Sequence, residues 1–391
     1  MDSGDKLYWF NTKAARILCP SRASVGCCLS FRYHNPVDVL FGAGMLDRLP
    51  EVVGDRKAVL VTFPEAAALG VTSRVRRHLG NSLIGVIADV EPNPDVVHLA
   101  RLYARFREEY SACQMIVAVG GGSALDTAKV LMVAPPSGEF AELVRLLARG
   151  EAFAPGDAKP LIAIPTTAGT GSEVTPWATI WDRSVNRKYS LHLRETWPRT
   201  AIVDPELTMS LPRTMTIQSG LDALSHALES IWNVNANPVS DTHAVAAASR
   251  MMATLPQLAG DPGNIGLRSA ASLAALQAGL AFSNTKTALA HSISYEMTLR
   301  YGLPHGIACS FTLPLVLERA IGRSVERDRV LAAVFACPLA HAPEYLRSFL
   351  EGLDVSTRFE SYGVPETESR KMISDALEGP RGRNFIGAPA N

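Results

Sequence analysis

The chain has 391 residues, of which 47% are hydrophobic and 19% charged. That is material for two or three domains with substantial cores, and it excludes disorder as a description of the whole chain. Lys plus Arg and Asp plus Glu both total 38, so the net charge is zero. A broad basic surface for nucleic acid is thereby excluded, whereas a local basic pocket is compatible with the balance.

Taken in chain order, residues 1–30 fit no regular element and read as an N-terminal arm. Their start, Met1-Asp2-Ser3-Gly4-Asp5, lacks the basic residues and apolar run of a signal peptide. The six cysteines, Cys19, Cys27, Cys28, Cys113, Cys309 and Cys337, form no CxxC pair and read as reduced thiols, mostly core filler. The longest apolar run, 115–133, is broken by Gly120-Gly121-Gly122, Asp126 and Lys129, so no membrane span is expected. The expectation is a cytoplasmic protein with neither a nucleic-acid nor a membrane partner.

Short β-branched runs predict buried strands over 57–62, 82–88, 115–119, 161–164 and 200–203. Amphipathic segments lie between them, such as 96–110 with Val96, Leu99, Leu102, Tyr103 and Phe106 on one face. Continuous apolar strands alternating with helices argue for a parallel sheet covered on both faces. The texture changes near Asp204-Pro205. Beyond it, Ala- and Leu-rich stretches predict helices over 218–232, 241–255, 266–281, 286–301 and 326–336. The fold class is therefore an α/β N-terminal dinucleotide-binding domain (parallel sheet, Rossmann-like) plus an all-α C-terminal domain, with boundaries at 31–204 and 205–391. No internal repeat is evident. The last dozen residues, rich in Gly, Pro and Asn, read as a second loosely held segment.

Two loops carry candidate ligand chemistry. The strand 115–119 runs into Gly120-Gly121-Gly122-Ser123, and a helix starting at about Ser123 would aim its free N–H groups and positive dipole end at that loop. This suits a pyrophosphate, although it is neither GxGxxG nor a P-loop, and a plain strand-to-helix turn is the bland alternative. The loop after 161–164 reads Pro165-Thr166-Thr167-Ala168-Gly169-Thr170-Gly171-Ser172-Glu173, with its hydroxyls at the carboxyl end of a parallel strand. A helix start capped by Thr170 or Ser172 explains it equally well. In the helical half, Asp222 and His226 stand at i and i+4 on one helix face. With His291 in a helix-like run and His305 in the turn 302–306, they would make a mixed N/O site for a divalent metal able to polarise a carbonyl. Spacing alone does not bring His291 and His305 to that pair, and a histidine taken singly is more often structural.

Over roughly residues 31–330 the chain resembles the iron-containing (group III) alcohol dehydrogenase family. Gly120-Gly121-Gly122-Ser123 with Asp126 and Lys129 matches the family's GGGSxxDxAK, and residues 165–175 read PTTAGTGSEVT, its second cofactor loop. Residues 222–229 read DALSHALE against DALTHAIE, and Pro304-His305-Gly306 closes the set in the right order. The resemblance implies that Asp222, His226, His291 and His305 are metal ligands, with Fe(II) first and Zn(II) an alternative. It also implies that Gly121, Gly122, Ser123, Asp126, Thr166, Thr167, Thr170 and Lys188 contact an NAD(P)H cofactor in a cleft between the domains. A homodimer or larger homo-oligomer is the family's common state.

Three departures from the family pattern bear on substrate and proton. Tyr295 stands four residues after His291, where many members carry a second histidine. A phenol can donate a proton to an alkoxide, or simply form an aromatic wall. Phe63 follows the 57–62 strand where NAD-specific members often place Asp, so a 2′-phosphate is not repelled and NADH versus NADPH stays open. Lys286 and Thr287 replace small residues ahead of His291 and suit a phosphate-like group, the alternative being a solvated lysine at a helix start. Arg300 is a further cation, with nothing to aim it at the site. The stretch 285–295, Thr285-Lys286-Thr287 through His291 to Ser294-Tyr295, resembles the phosphonoacetaldehyde reductase branch of the family, found in phosphonate and antibiotic biosynthesis. The leading expectation is a metal-dependent NAD(P)H aldehyde reductase acting on a small anionic aldehyde, with Tyr295 and Lys286 as catalytic-site residues. Alternatives are a reductase or dehydrogenase for an uncharged aldehyde or diol, a dehydroquinate synthase-like lyase, and a binding protein without chemistry.

Overall fold

The five apolar runs predicted as strands all enter one parallel sheet, which a further short strand completes. The computed structural model describes residues 30–185 and 187–389, and Tyr33–Asn391 form one unit by their internal contacts. The predicted arm, apart from Ser30, lies outside the described residues, as do Cys19, Cys27 and Cys28. The described strands are β1 (Asp38–Phe41), β2 (Ala58–Thr62), β3 (Leu83–Ile87), β4 (Met115–Gly120), β5 (Val133–Ala134), β6 (Asp157–Ala158), β7 (Leu161–Pro165), β8 (Trp177–Asp182), β9 (Arg187–His192) and β10 (Thr200–Val203). The main sheet has the order β1-β10-β7-β4-β2-β3 with every pairing parallel.

Every residue of β2, β4, β7 and β10 is buried, because helices cover both faces. These are α1 (Leu49–Val53), α2 (Val71–Leu79), α3 (Val96–Glu109), α4 (Gly122–Met132) and α5 (Phe140–Arg149). Side chains alternate along the strands. Val59, Val61, Ile116 and Ala118 pack with Leu99, Leu102 and Phe106 of α3, and Ala58, Leu60, Val117 and Val119 pack with Leu49, Val53 and Val75. The direction of winding reverses between β2 and β4. The carboxyl ends of those strands therefore flank the crevice where open α/β sheets take ligands.

The chain then turns helical as α6 (Arg213–Ile231), α7 (Pro238–Gly260), α8 (Ile265–Thr285), α9 (Leu289–Tyr301), α10 (His305–Ser310), α11 (Leu313–Ala320), α12 (Val325–Ala332), α13 (Ala342–Glu351) and α14 (Glu366–Glu378). Their shared core runs from Ile217 to Phe385.

Several expectations need correction. The edge strand β1 and the hairpin β8–β9 are not among the expected strands: β1 offers only the three apolar residues Val39-Leu40-Phe41, and β8–β9 interleave polar residues on partly buried faces. Where one helix was expected over 286–301, α8 continues to Thr285 and α9 begins at Leu289; between them Lys286 takes a left-handed φ of 68°. His305 opens α10 instead of lying in a turn. By length and composition α8 is apolar enough to cross a membrane, contrary to the expectation of no such span. It is packed against α6 and α7, and its Arg268 is buried and donates to Thr216 Oγ1 at 2.8 Å. The C-terminal segment is not loosely held up to residue 389. Phe385 is only 1% exposed. Val234 N–H donates to the Asn384 carbonyl at 2.8 Å and Ile386 N–H to that of Trp232 at 3.2 Å. One buried aromatic and a short ladder anchor a segment whose Gly and Pro content suggested the opposite.

A single buried cation ties the second ligand loop to α4. Lys129 is fully buried, and its ammonium donates to the Ser172 carbonyl (2.6 Å), Ser172 Oγ (2.7 Å), and the Thr175 and Trp177 carbonyls (2.8 Å each). Burial pushes its pKa down to about 8 against the pull of Asp126 and Glu173, so it stays charged at neutral pH. Removing it strands buried acceptors and takes from Asp126 its stronger counter-charge, leaving only Lys188. Lys129→Met is expected to cost about 3–5 kcal/mol of stability, read from urea unfolding, with protease cleavage appearing first in the 165–175 loop.

Candidate active site

Asp222, His226 and Glu229 fall at i, i+4 and i+7 of α6 and so share one face. Asp222 Oδ1 lies 3.8 Å from His226 Nε2, 3.5 Å from His291 Nε2 and 3.8 Å from His305 Nε2. The structure thus gathers all four residues singled out from the sequence. His305 arrives by a close backbone approach: a methyl group built on Gly306 would overlap the Gln218 carbonyl of α6. Only glycine lets α10 start there.

His291 is fixed from behind. Its Nδ1 is 2.7 Å from Glu229 Oε2, and Glu229 is fully buried. The same carboxylate accepts from the N–H groups of Ala288 (2.9 Å), Ala290 (2.6 Å) and His291 (3.3 Å) at the start of α9. It therefore orients the imidazole and caps the helix that carries it. His226 is held by its flank, with the Phe282 ring stacked on it at 4.0 Å.

Asp222 Oδ1 and His291 Nε2 are buried and have no hydrogen-bond partner among the described residues. Buried polar atoms are ordinarily paired. Donor atoms around a tetrahedral divalent cation, each bound at about 2.1 Å, lie about 3.4 Å apart, close to the spacings seen here. At three of the four residues the protonation state favours ligation too. Burial would raise the Asp222 carboxyl, but the surrounding histidines outweigh it and hold it below the ordinary carboxylate range. Burial pushes His226 down to about 4 and His305 down to about 3, so both imidazoles are neutral. At His291 burial is outweighed by Cys309, Glu229 and Asp222, which raise its pKa. These residues fit a divalent metal.

Cys309 is the residue at this cluster that sequence reasoning missed. Expected to be core filler, it sits one helical turn after His305, with Sγ 3.5 Å from His305 Nε2 and donating to the His305 carbonyl at 3.0 Å. Its sulfur and the ligand-type atoms of Asp222, His291 and His305 all lie within 4.8 Å of one another. The i, i+4 spacing from His305 was the available signal.

The cluster and the glycine loop line one cleft. Gly121 is the N-cap of α4 and Gly122 its first residue. A Cβ on Gly122 would come within 2.7 Å of Thr170 Cγ2, so the two loops touch. Gly122, Ser123, Asp126 and Thr170 line the cleft, whereas Gly121, Thr166 and Thr167 lie outside its lining. Asp126 accepts from Ser172 Oγ and Thr179 N–H at 2.8 Å each, and Ser172 N–H donates to Thr170 Oγ1 at 3.3 Å. The second loop is accordingly both a cleft wall and a capped turn.

A third wall carries cations. Lys188, Lys286 and Arg381 line the cleft with Thr287 and Asn384. Lys188 Nζ lies 4.2 Å and Arg381 Cζ 4.9 Å from the centroid of the Tyr295 ring. Burial, then Arg381, push Lys188 down to about 7. The Tyr295 hydroxyl is buried without a partner among the described residues, and burial raises its pKa. Lys286 is exposed. It and burial together push His192 below its usual range, with burial the larger effect. Arg300 pairs on the surface with Glu296 and Glu368 instead.

With this geometry in hand, comparisons with known proteins agree at every level. The iron-containing alcohol dehydrogenase profile matches residues 36–205, and the C-terminal profile of the Fe-containing family matches residues 216–387. The chain is 32% identical over 338 residues to an NAD-dependent methanol dehydrogenase of Bacillus methanolicus, covering 83% of this chain and 87% of that one. It is 32% identical over 311 residues to a phosphonoacetaldehyde reductase of Streptomyces viridochromogenes, covering 76% and 77%. The sulfoacetaldehyde reductase of Bifidobacterium kashiwanohense, solved in complex with NAD+, superposes with a TM-score of 0.83 at 28% identity, covering 92% of this chain and 95% of that one. The parallel sheet, the helical half and the cleft between them are those of an NAD-dependent oxidoreductase, and the chain belongs to the iron-containing alcohol dehydrogenase family.

Proposed function

We propose that the protein is a metal-dependent NAD(P)H aldehyde reductase for a small anionic aldehyde, with phosphonoacetaldehyde, reduced to 2-hydroxyethylphosphonate, as the leading substrate. The observation that carries this reading is the meeting of Asp222, His226, His291 and His305 around unpaired buried atoms, in a cleft that the glycine loop also lines. An NAD(P)H reductase of this design takes up one proton per aldehyde and releases the alcohol and NAD(P)+. The place in metabolism is biosynthesis of a phosphonate product.

When bound, a divalent cation supplies Lewis-acid polarisation of the carbonyl and the reduced nicotinamide supplies hydride. The chain's own residues do the rest. Asp222 and the three histidines would hold the cation, Fe(II) or Zn(II). The N–H groups at the start of α4, beside Gly122 and Ser123, would donate to the cofactor's diphosphate. Phe63 offers the adenosine ribose no carboxylate, so neither NADH nor NADPH is repelled. The stacked rings of Trp177, Phe282 and His226 close one side of the cleft against water. Tyr295, whose phenol keeps its proton through the neutral range, is the proton-donor candidate on α9.

The anionic substrate is supported by the charge of the cleft. Of its two acidic lining residues, Asp126 accepts from Ser172 and Thr179 and Asp222 faces the three histidines, whereas three basic side chains line the third wall. It is also supported by two similar proteins whose names specify an aldehyde beside a strong acid group. A lyase that regenerates its cofactor within each turnover is separated by net NAD(P)H oxidation.

The test is NADH and NADPH oxidation with phosphonoacetaldehyde, sulfoacetaldehyde and propanal on metal-analysed enzyme. Phosphonoacetaldehyde is expected to be the best substrate. Chelation is expected to abolish turnover, Fe(II) or Zn(II) to restore it, and Asp222→Asn to lower kcat/KM by about 10³-fold. Turnover undiminished after complete metal removal rejects the reading. Glu229→Gln is expected to weaken metal binding about 10–100-fold in a chelator competition, because one of the two oxygens that accept from His291 and the α9 N–H groups becomes an NH2 donor and the negative charge behind His291 is lost.

A further inference from the structure

We propose that Arg381, with the hydroxyl of Thr287 and the neighbouring Lys188, forms the subsite for the acid group of the substrate, a short-chain phosphonate or sulfonate dianion or monoanion. This deepens the reading of the cleft as an aldehyde-reducing site and rests on it.

The first reason is an unbalanced charge. Arg381 and Lys188 line the same cleft and approach the same Tyr295 ring. Among the described residues neither forms an ion pair with a carboxylate, whereas the buried Arg327 pairs with Asp241 at 2.7 Å. Both are only partly exposed. Two basic groups this close with no paired carboxylate repel each other unless an anion joins them, and burial followed by this repulsion lowers the pKa of Lys188. The aromatic face between them offsets only part of that cost.

Rigidity is the second reason. Arg381 Nη1 donates to Thr287 Oγ1 at 2.9 Å, and Asn384 Nδ2 donates to the Thr287 carbonyl at 2.8 Å. The buried Phe385 and the ladder to Trp232 and Val234 anchor the segment behind. A guanidinium held in place loses little freedom on binding, and its planar fork suits two oxygens of one acid group. Thr287 accepts from Arg381 and keeps its own hydroxyl proton for a third oxygen.

Distance supplies the third. Tyr295 follows His291 by one helical turn, roughly 5–6 Å along α9. The cations on its ring therefore stand about one small molecule's length from the metal-ligand cluster. That suits an acid group one carbon from the aldehyde and disfavours longer chains. Lys286 is exposed at the same wall, where solvent screens its charge, so it contributes less than Arg381.

The cofactor's diphosphate is the competing explanation for these cations. It is expected at Gly122 and Ser123, on the glycine-loop side, whereas Arg381 and Thr287 belong to the helical side; Lys188, on β9 and by the family resemblance a cofactor contact, borders both ligands, so the assignment rests on Arg381 and Thr287. The experiment uses full-length metal-loaded enzyme and the probe methylphosphonate. Its binding is followed by calorimetry in the presence of NADP+, alongside kcat/KM for phosphonoacetaldehyde and propanal and the Kd of NADPH. Arg381→Gln is expected to weaken methylphosphonate binding about 30–100-fold and to lower the phosphonoacetaldehyde-to-propanal selectivity by a similar factor, mostly through KM. Arg381→Lys is expected to recover part of both, and Thr287→Val to lose several-fold. Selectivity unchanged in Arg381→Gln, or equal losses on the two aldehydes, overturns the assignment of Arg381 while leaving the anionic-aldehyde reading intact. Weakened NADPH binding with methylphosphonate binding unchanged assigns the residue to the cofactor and likewise overturns it. A wild-type enzyme that binds no methylphosphonate and prefers propanal overturns the anionic-aldehyde reading itself.

Discussion

The site depends first on one buried carboxylate. Glu229 carries no solvent exposure, yet it satisfies an imidazole and three backbone amides at once. An ionised group so buried is tolerable only because every lone-pair direction meets a donor. In return it links α6 to the first turn of α9 and sets which nitrogen of His291 faces Asp222. Without that link the break at Lys286, where the chain turns with positive φ, would leave the helix start without an acceptor.

The opposite wall repeats the same logic with the sign reversed. Lys129 gathers the carbonyls of the loop after β7, and Asp126, one turn earlier on α4, takes the hydroxyl and amide that remain. The two residues present in the sequence as a motif are therefore partly a structural device. They hold the Ser172–Val174 turn against the helix whose N-terminus faces the cleft. The glycines then do the close work: Gly122 admits Thr170, and Gly306 admits the backbone of α6.

Between these walls the electrostatics are local. The zero net charge of the chain says nothing about a cleft in which three histidines surround one ionised aspartate and basic side chains collect a helical turn away. Burial, more than composition, sets these states, since it removes the water that would otherwise level them.

Much was legible from residues alone. Continuous apolar runs marked β2, β3, β4, β7 and β10; all but the partly exposed edge strand β3 are buried on both faces and so have no polar side to show. The triple glycine, the second loop and the Asp222–His226 pair announced themselves by local spacing, and the four motifs in order pointed to the family. Contacts between residues far apart in the chain were not legible. Cys309 looked like core filler until α10 folded beside α6. Arg381 and Asn384 lay in a segment whose Gly and Pro content suggested slack, and only the burial of Phe385 and the bonds to Thr287 set them at the cleft. Lys286 was seen, but its place in a turn between α8 and α9 was not. The sequence by itself determined the periodicities, the loops and the ligand types, since these rest on neighbours within a few residues. Which side chains share the cleft was decided by tertiary packing, because convergence depends on how helices cross, and a one-dimensional pattern carries no crossing angle.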